Sequence, residues 1–286
     1  MAERLTYAEW RRGHELSRIQ QLKGYESEFG GLLTRLRRRL YIPADTDIDF
    51  PRHVNAAMDD YVRDYGDTLW TSLKKSSAFE VLGATLIAVG VTGVEVDTAS
   101  KFFSAIPERV ADEMFAAKLP SGHTLSQRIW NLNYSRDIIT IVENGVANHV
   151  PAEVLSKQLD GFILPGRHVT TTTPYGRALN FDSMRLARTE IGHAYRHATF
   201  ESAKRAPWVT GVTWHLSLEH PDLACECENM DGQVYAPEDE PDDPHPQCLC
   251  YTTENVMRGS EWDEVFNEYQ ETGIDNYGIR EWMEAV

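Results

Sequence analysis

The sequence predicts an α+β protein, with a mostly helical N-terminal part followed by a small C-terminal helix-plus-antiparallel-β module that carries a Cys/His cluster. Three observations predict it. Apolar side chains recur at helical spacing through most of the first 160 residues. After Pro207 the period changes to two, with Val209, Val212, Trp214 and Leu216 set among small or polar residues, as in a half-buried strand. All four cysteines then fall within 26 residues, between Cys225 and Cys250.

Residues 7–40 contain no proline and place Trp10, Leu16, Ile19, Leu22, Phe29, Leu32, Leu36 and Leu40 at helical spacing, which predicts one long helix. Gly30-Gly31 is its expected weak point. The helix ends on Arg35, Arg37, Arg38 and Arg39. Cations there complement the helix dipole. Read functionally, they offer a patch for DNA phosphate or an acidic partner. Pro43–Pro51 reads as a linker and about 53–75 as a second helix. The apolar run Val81–Val94 follows, and its fourteen residues are too few to cross a bilayer as a helix. It is expected to be a buried core helix, with no membrane span in the chain.

Asp97 is the expected N-cap of a helix reaching about Lys118, and Pro120-Ser121-Gly122 a turn. Thr124 caps a further helix to about His149, and Pro151 opens a short one ending near Gly161. The stretch 161–175, with Thr170–Thr173, favours loop or extended strand. A helix over 181–204 gathers Leu186, Ala187, Ile191, Ala194 and Ala198 on one face, with Arg185 and Arg188 one turn apart. Beyond the strand at 209–216, Asp231-Gly232 signals a hairpin with 233–235 returning. The acidic, proline-rich 237–246 reads as an irregular loop, and Trp262, Phe266 and Tyr269 mark a short amphipathic helix. The expected organisation is a helical region at 1–122, a module at 123–253 and an acidic tail at 254–286.

The net charge is −16, and it is uneven. Residues 217–286 hold 19 acidic side chains against Arg258 and Arg280, so the remainder is near neutral. A chain this acidic disfavours general nucleic-acid binding, and any such contact is expected from the N-terminal part. Charges run through the first twenty residues, so no secretory signal is expected. Cysteines confined to one cluster fit a reducing compartment. No phosphate-binding glycine fingerprint and no nucleophile elbow occurs, which favours a non-enzymatic protein.

Cys225, Cys227, Cys248 and Cys250 can supply a tetrahedral thiolate site for Zn²⁺, with His245 and His220 as further donors. A C-x-C pair on an extended strand points its thiols in opposite directions, so either the chain turns there or His245 replaces one cysteine. A disulfide clip and plain buried thiols are the alternatives. Glu226, Glu228, Asp231, Asp242 and Asp243 are expected to crowd the cluster, where a cation would relieve their field. His193 and His197, one helical turn apart with Glu190 before them, form a polar helix face that lacks the glutamate base of a zinc protease motif. Arg188 and Glu190 read as buried polar groups, the arginine fork fixing the helix on the β module.

The ordered set Arg185, Arg188, Thr189, Glu190, then Trp214, then Cys225 and Cys227 before Asp231-Gly232, then His245, Pro246, Cys248 and Cys250, resembles the phage head morphogenesis family of Mu F-like minor head proteins. The resemblance covers about Leu125 to Thr252. The chain departs from that pattern in having C-x-C for the usual C-x-x-C, and Leu249 where arginine is usual. The resemblance implies a minor head protein of a tailed bacteriophage or prophage, in the virion head and, during assembly, the host cytoplasm. It implies binding to the portal and to capsid or scaffold proteins in few copies, with roles in head assembly and DNA packaging or ejection. The alternative is an enzyme on the same scaffold. A metal-dependent nuclease is one form; the other is an ADP-ribosyltransferase, suggested by Thr170–Thr173 and the E-x-E pair Glu226 and Glu228.

Overall fold

The computed structural model describes residues 7–42, 49–118, 179–217, 226–246 and 248–285, with a few positions between 124 and 159. The helices expected at 124–149 and 151–161 lie largely outside the described residues, and the four-threonine run entirely so.

Helix α1 spans Tyr7–Leu40, as the periodicity predicts. Its stripe of Trp10, Ile19, Leu22, Phe29, Leu32, Leu36 and Leu40 is buried, whereas Leu16 is exposed. Gly30-Gly31 does not interrupt it, because Phe29, Leu32 and Leu33 on either side are packed.

Helix α2 runs unbroken over Phe50–Thr92, so the expected second helix and the apolar run are one element. Pro51 belongs to its first turn rather than to a linker, since a missing N–H costs nothing there. Buried hydroxyls along it are satisfied within the helix. Ser76, Ser77 and Thr85 each donate a hydroxyl to the carbonyl one turn back, at 2.7, 2.9 and 2.9 Å. Gly93, at φ +72°, ends the helix in the left-handed region. By length and composition α2 could cross a membrane, and half of its apolar window is buried within the protein. Val81, Ala84, Ile87 and Ala88 face inward. Gly83 lets the Trp10 ring lie against the backbone, where a Cβ would stand 2.5 Å from it.

The helix expected from Asp97 to Lys118 is two helices, α3 (Val96–Phe103) and α4 (Ile106–Ala116). Pro107 explains the break, because it has no N–H for the turn before it and its ring crowds that turn's carbonyl. The cap is Glu95 rather than Asp97, and it caps through its carbonyl, which accepts from the Thr98 and Ala99 N–H groups at 3.1 Å.

Helix α5 covers Leu179–Arg205, and Leu186, Ala187, Ile191, Ala194 and Ala198 are all buried. Strands β1 (Val209–His215), β2 (Val234–Tyr235) and β3 (Tyr251–Val256) form an antiparallel sheet of order β2-β1-β3. Val212 pairs with Tyr235, and Trp214 with Thr252. The return over the Asp231-Gly232 turn is as expected, with Gly232 at φ +73°. Strand β3 was not expected, and it runs through the 253/254 position. Helix α6 (Gly259–Thr272) is the expected amphipathic helix, and α7 (Ile279–Ala285) is additional.

The chain is α+β, with a helical N-terminal part and a small C-terminal module of helix plus three-stranded sheet. It divides into two compact units: Met1–Leu22, Ser72–Glu113 and Thr189–Val286 in one, Lys23–Thr71 and Met114–Arg188 in the other. In the second, the Phe29 and Tyr65 rings meet at 4.8 Å and Arg39 pairs with Asp60 at 2.8 Å. The sheet and the described cysteines, Cys227, Cys248 and Cys250, belong to the first.

That first unit also buries an acid. Glu254 of β3 is enclosed, and burial pushes its carboxyl up to about 7, with Glu80 adding to the effect and His14 and Arg11 opposing it. Glu80 itself is held by His14 at 2.8 Å. A carboxyl whose folded pKa lies above its unfolded value leaves stability intact at low pH and destabilises as pH rises between the two values. From 4.5 to about 7 the loss is on the order of 3 kcal/mol. Glu254→Gln is therefore expected to raise the thermal midpoint above pH 7 and to flatten its decline between pH 5 and 7. Melting curves across that range are the check, and unchanged curves would show that Glu254 is not destabilising.

Candidate metal centre

The site is built around Trp214 of β1. Its N–H donates to the Gln233 carbonyl at 3.0 Å, and its carbonyl accepts from the Gly232 N–H at 2.9 Å, which closes the hairpin. Asp231 Oδ1 accepts from the Leu216 N–H at 3.0 Å. A short 3-10 helix, Glu226–Asn229, turns Cys227 inward. Cys227, Cys248, Cys250 and Trp214 form one buried cluster, with Leu216, Met230 and Tyr235 packed on it.

The ligand atoms of Cys227, Cys248 and Cys250 all lie within 4.8 Å of one another. Cys227 Sγ stands 3.6 Å from Cys248 Sγ, well beyond a bonded sulfur pair. His245 Nε2 is 3.1 Å from Cys227 Sγ. The His245 Nδ1–H donates to the Pro246 carbonyl at 2.9 Å, which leaves the Nε2 lone pair facing Cys227 Sγ. Cys225 and His220 lie outside the described residues.

The C-x-C pair at 248–250 does not splay. Both cysteines are buried on the same cluster, because the chain there is irregular and β3 begins only at Tyr251. Two arginines hold its carbonyls. Arg18 of α1 donates to the Leu249 carbonyl, and Arg196 of α5 donates to the Cys250 carbonyl at 3.0 Å. Arg18 is fully buried between the Tyr195 and Tyr251 rings, 5.8 and 5.7 Å from their centroids, and also pairs with Glu15 at 3.2 Å. Glu15 in turn accepts from the Ser217 hydroxyl at 2.7 Å. Arg196 lies over the Trp214 ring at 5.4 Å and pairs with Asp243. Gly192 lets α5 approach, since a Cβ there would stand 3.0 Å from the Cys248 carbonyl oxygen.

No protein-family model, curated protein or solved structure matches this chain.

What the site can do follows from its donors. Three buried cysteines this close together can bind a metal ion. Two sulfurs each about 2.3 Å from one ion at tetrahedral angles stand about 3.8 Å apart, close to the Cys227–Cys248 separation. The thiols are also tuned against one another. Hydrogen bonding with Cys250 raises the Cys248 thiol, and burial adds to it. The Cys250 thiol is lowered, chiefly by the Cys248 side chain, with the Ser217 backbone N–H helping and burial opposing. Cys250 is therefore the first of the pair to become the thiolate that a metal requires.

The other residues singled out by sequence are placed as follows. Trp214 and Glu190 are buried, and Arg185 is part-exposed. Arg188 does hold a carboxylate, but that of Glu26 of α1, through Nε at 2.6 Å and Nη2; the fork on the β module is Arg196. The acids expected around the cluster are turned to solvent or paired. Glu226, Glu228, Asp231 and Asp242 are exposed, and Asp243 is taken by Arg196. Arg35, Arg37, Arg38 and Arg39 are all exposed. Arg18 and Arg196 were missed. For Arg18 a signal existed, because it interrupts the stripe His14, Leu22, Tyr25, Phe29 with a charge at a core position.

Proposed function

We propose that the cluster of Cys227, Cys248 and Cys250 with His245 holds a structural Zn²⁺, and that the protein is a minor head protein of a tailed bacteriophage or prophage. In this reading it binds the portal or inner capsid in few copies and acts in head assembly and in DNA packaging or ejection. What supports it is the convergence of Trp214, Cys227, His245, Cys248 and Cys250. These residues, separate in sequence, carry the resemblance to the Mu F-like group, and they meet around one point. The zinc assignment is supported by the sulfur spacing and by the His245 tautomer, which suit a closed N/S set. The surface proposed to meet DNA or an acidic partner is the arginine-rich end of α1.

The protein is then expected to co-purify with the portal and to occur in mature particles far below the major capsid protein. Quantitative mass spectrometry of purified virions checks this. Absence from particles, with no portal association during assembly, would contradict the reading.

A further inference from the structure

A second set of metal-type donors meets outside the thiol cluster. His193 and His197 lie one turn apart on α5, with ring centroids 5.9 Å apart. Glu240, from the acidic loop, reaches both. Its Oε2 is 2.7 Å from His197 Nδ1, and its Oε1 is 3.9 Å from His193 Nε2. Glu113 of α4 stands 3.5 Å from the other ring nitrogen, His197 Nε2. The carboxylate that completes the histidine pair thus comes from far along the chain, and it is not Glu190.

We propose that His193, His197 and Glu240 form a second metal site, for a divalent first-row transition cation such as Zn²⁺, with Glu113 orienting His197 from behind. Donors each about 2.0–2.1 Å from one ion at tetrahedral angles stand about 3.3 Å apart. The 2.7 and 3.9 Å separations run to the two different oxygens of Glu240, and the three donors do not all lie within 4.8 Å of one another, so the imidazoles must rotate towards each other to close on an ion. Two histidines at i and i+4 are a chelating pair on one helix face. Glu113 supplies the carboxylate that ligating histidines usually engage through their second nitrogen, directing the His197 Nδ1 lone pair to the ion. The His193 side chain is 42% exposed, so an ion can enter from solvent. An ion here would tie the acidic loop to α5 just before that loop delivers His245 and Cys248. Imidazole and carboxylate donors suit a different chemistry from the thiols, so each site can be loaded and read separately.

The test is a Co²⁺ titration of the full-length protein, followed by absorbance and calorimetry. The wild type should take up an equivalent that shows no thiolate-to-cobalt charge transfer. His193→Ala and Glu240→Gln should each lose that equivalent and keep the charge-transfer band, and Glu113→Gln should weaken it by about tenfold or more. His193 makes no hydrogen bond among the described residues and its ion pair with Glu240 is long, at 3.9 Å, so its replacement should shift the melting temperature of the metal-free protein by only a small amount. Cobalt uptake without charge transfer in Cys248→Ser would support this site even if the thiol cluster proved not to bind metal. Unaltered uptake in both His193→Ala and Glu240→Gln would overturn it, as would a wild type that binds only the charge-transfer equivalent; the three side chains would then be an ion pair only.

Discussion

If the cluster holds Zn²⁺ as proposed, Cys248→Ser is expected to release it and to unfold the β-module, with a loss of stability on the order of 10 kcal/mol at neutral pH. Among the described residues the sheet has only one long pairing, β1 with β3, and its inner face at Trp214 rests on the cysteines themselves. A module this small cannot supply enough apolar burial by itself. Serine removes one thiolate and places a hydroxyl among buried sulfurs. The loop at 248–250 then has no reason to keep the path that presents its carbonyls to Arg18 and Arg196, and each guanidinium is left buried with fewer partners. Hydrogen exchange reads the result residue by residue. Amides of Val209–His215 and Tyr251–Val256 should lose protection. Those of 50–71, which belong to the other compact unit, should keep theirs. A chelator should reproduce this pattern in the wild type. A variant that keeps full strand protection would show that packing alone supports the sheet.

Trp208→Ala carries the next largest effect, about 3–5 kcal/mol. Trp208 is completely buried. The rings of Trp262 and Trp282 meet it edge to face, at 5.7 and 4.8 Å, and Trp282 continues to Phe102 at 4.8 Å. One indole therefore joins α6, α7 and α3. Its Nε1 makes no hydrogen bond among the described residues, so its contribution is packing, and Trp208→Phe should cost no more than about 2 kcal/mol. Denaturant midpoints measure both variants. The alanine variant should also become open to proteolysis after Met257, as α6 and α7 detach. A loss below 1 kcal/mol would contradict this role.

How legible these features are in the sequence depends on the range of the forces that make them. Helix α1 can be read from its stripe because its burial repeats every turn, and Leu16 shows that the stripe marks a tendency rather than each position. Helix α2 looks like two elements because its composition changes from a polar stretch ending near Lys75 to the apolar run from Val81, yet the Ser76 and Ser77 hydroxyls between them are satisfied one turn back. Strand β3 is invisible to pattern: in Tyr251–Val256 the buried side chains are Thr252, Thr253 and Glu254, and the strand exists because β1 pairs with it. Helix α7 is too short to show a period. The cysteines and His245 are legible because metal-type ligands cluster locally. The contacts of the arginines that shape the site are not: a charge in the core stripe marks Arg18 as buried, but it meets a carbonyl 231 positions away, and nothing near either residue encodes that contact.

Elemental analysis of the full-length protein, purified without chelator and alongside Cys248→Ser, tests the central claim most directly. The account predicts tightly bound zinc in the wild type, of which one equivalent per chain is missing from the variant, with Cys248 and Cys250 unreactive towards thiol reagents until that zinc is removed. Protein free of metal, with those thiols reacting at once in the native state, would contradict it.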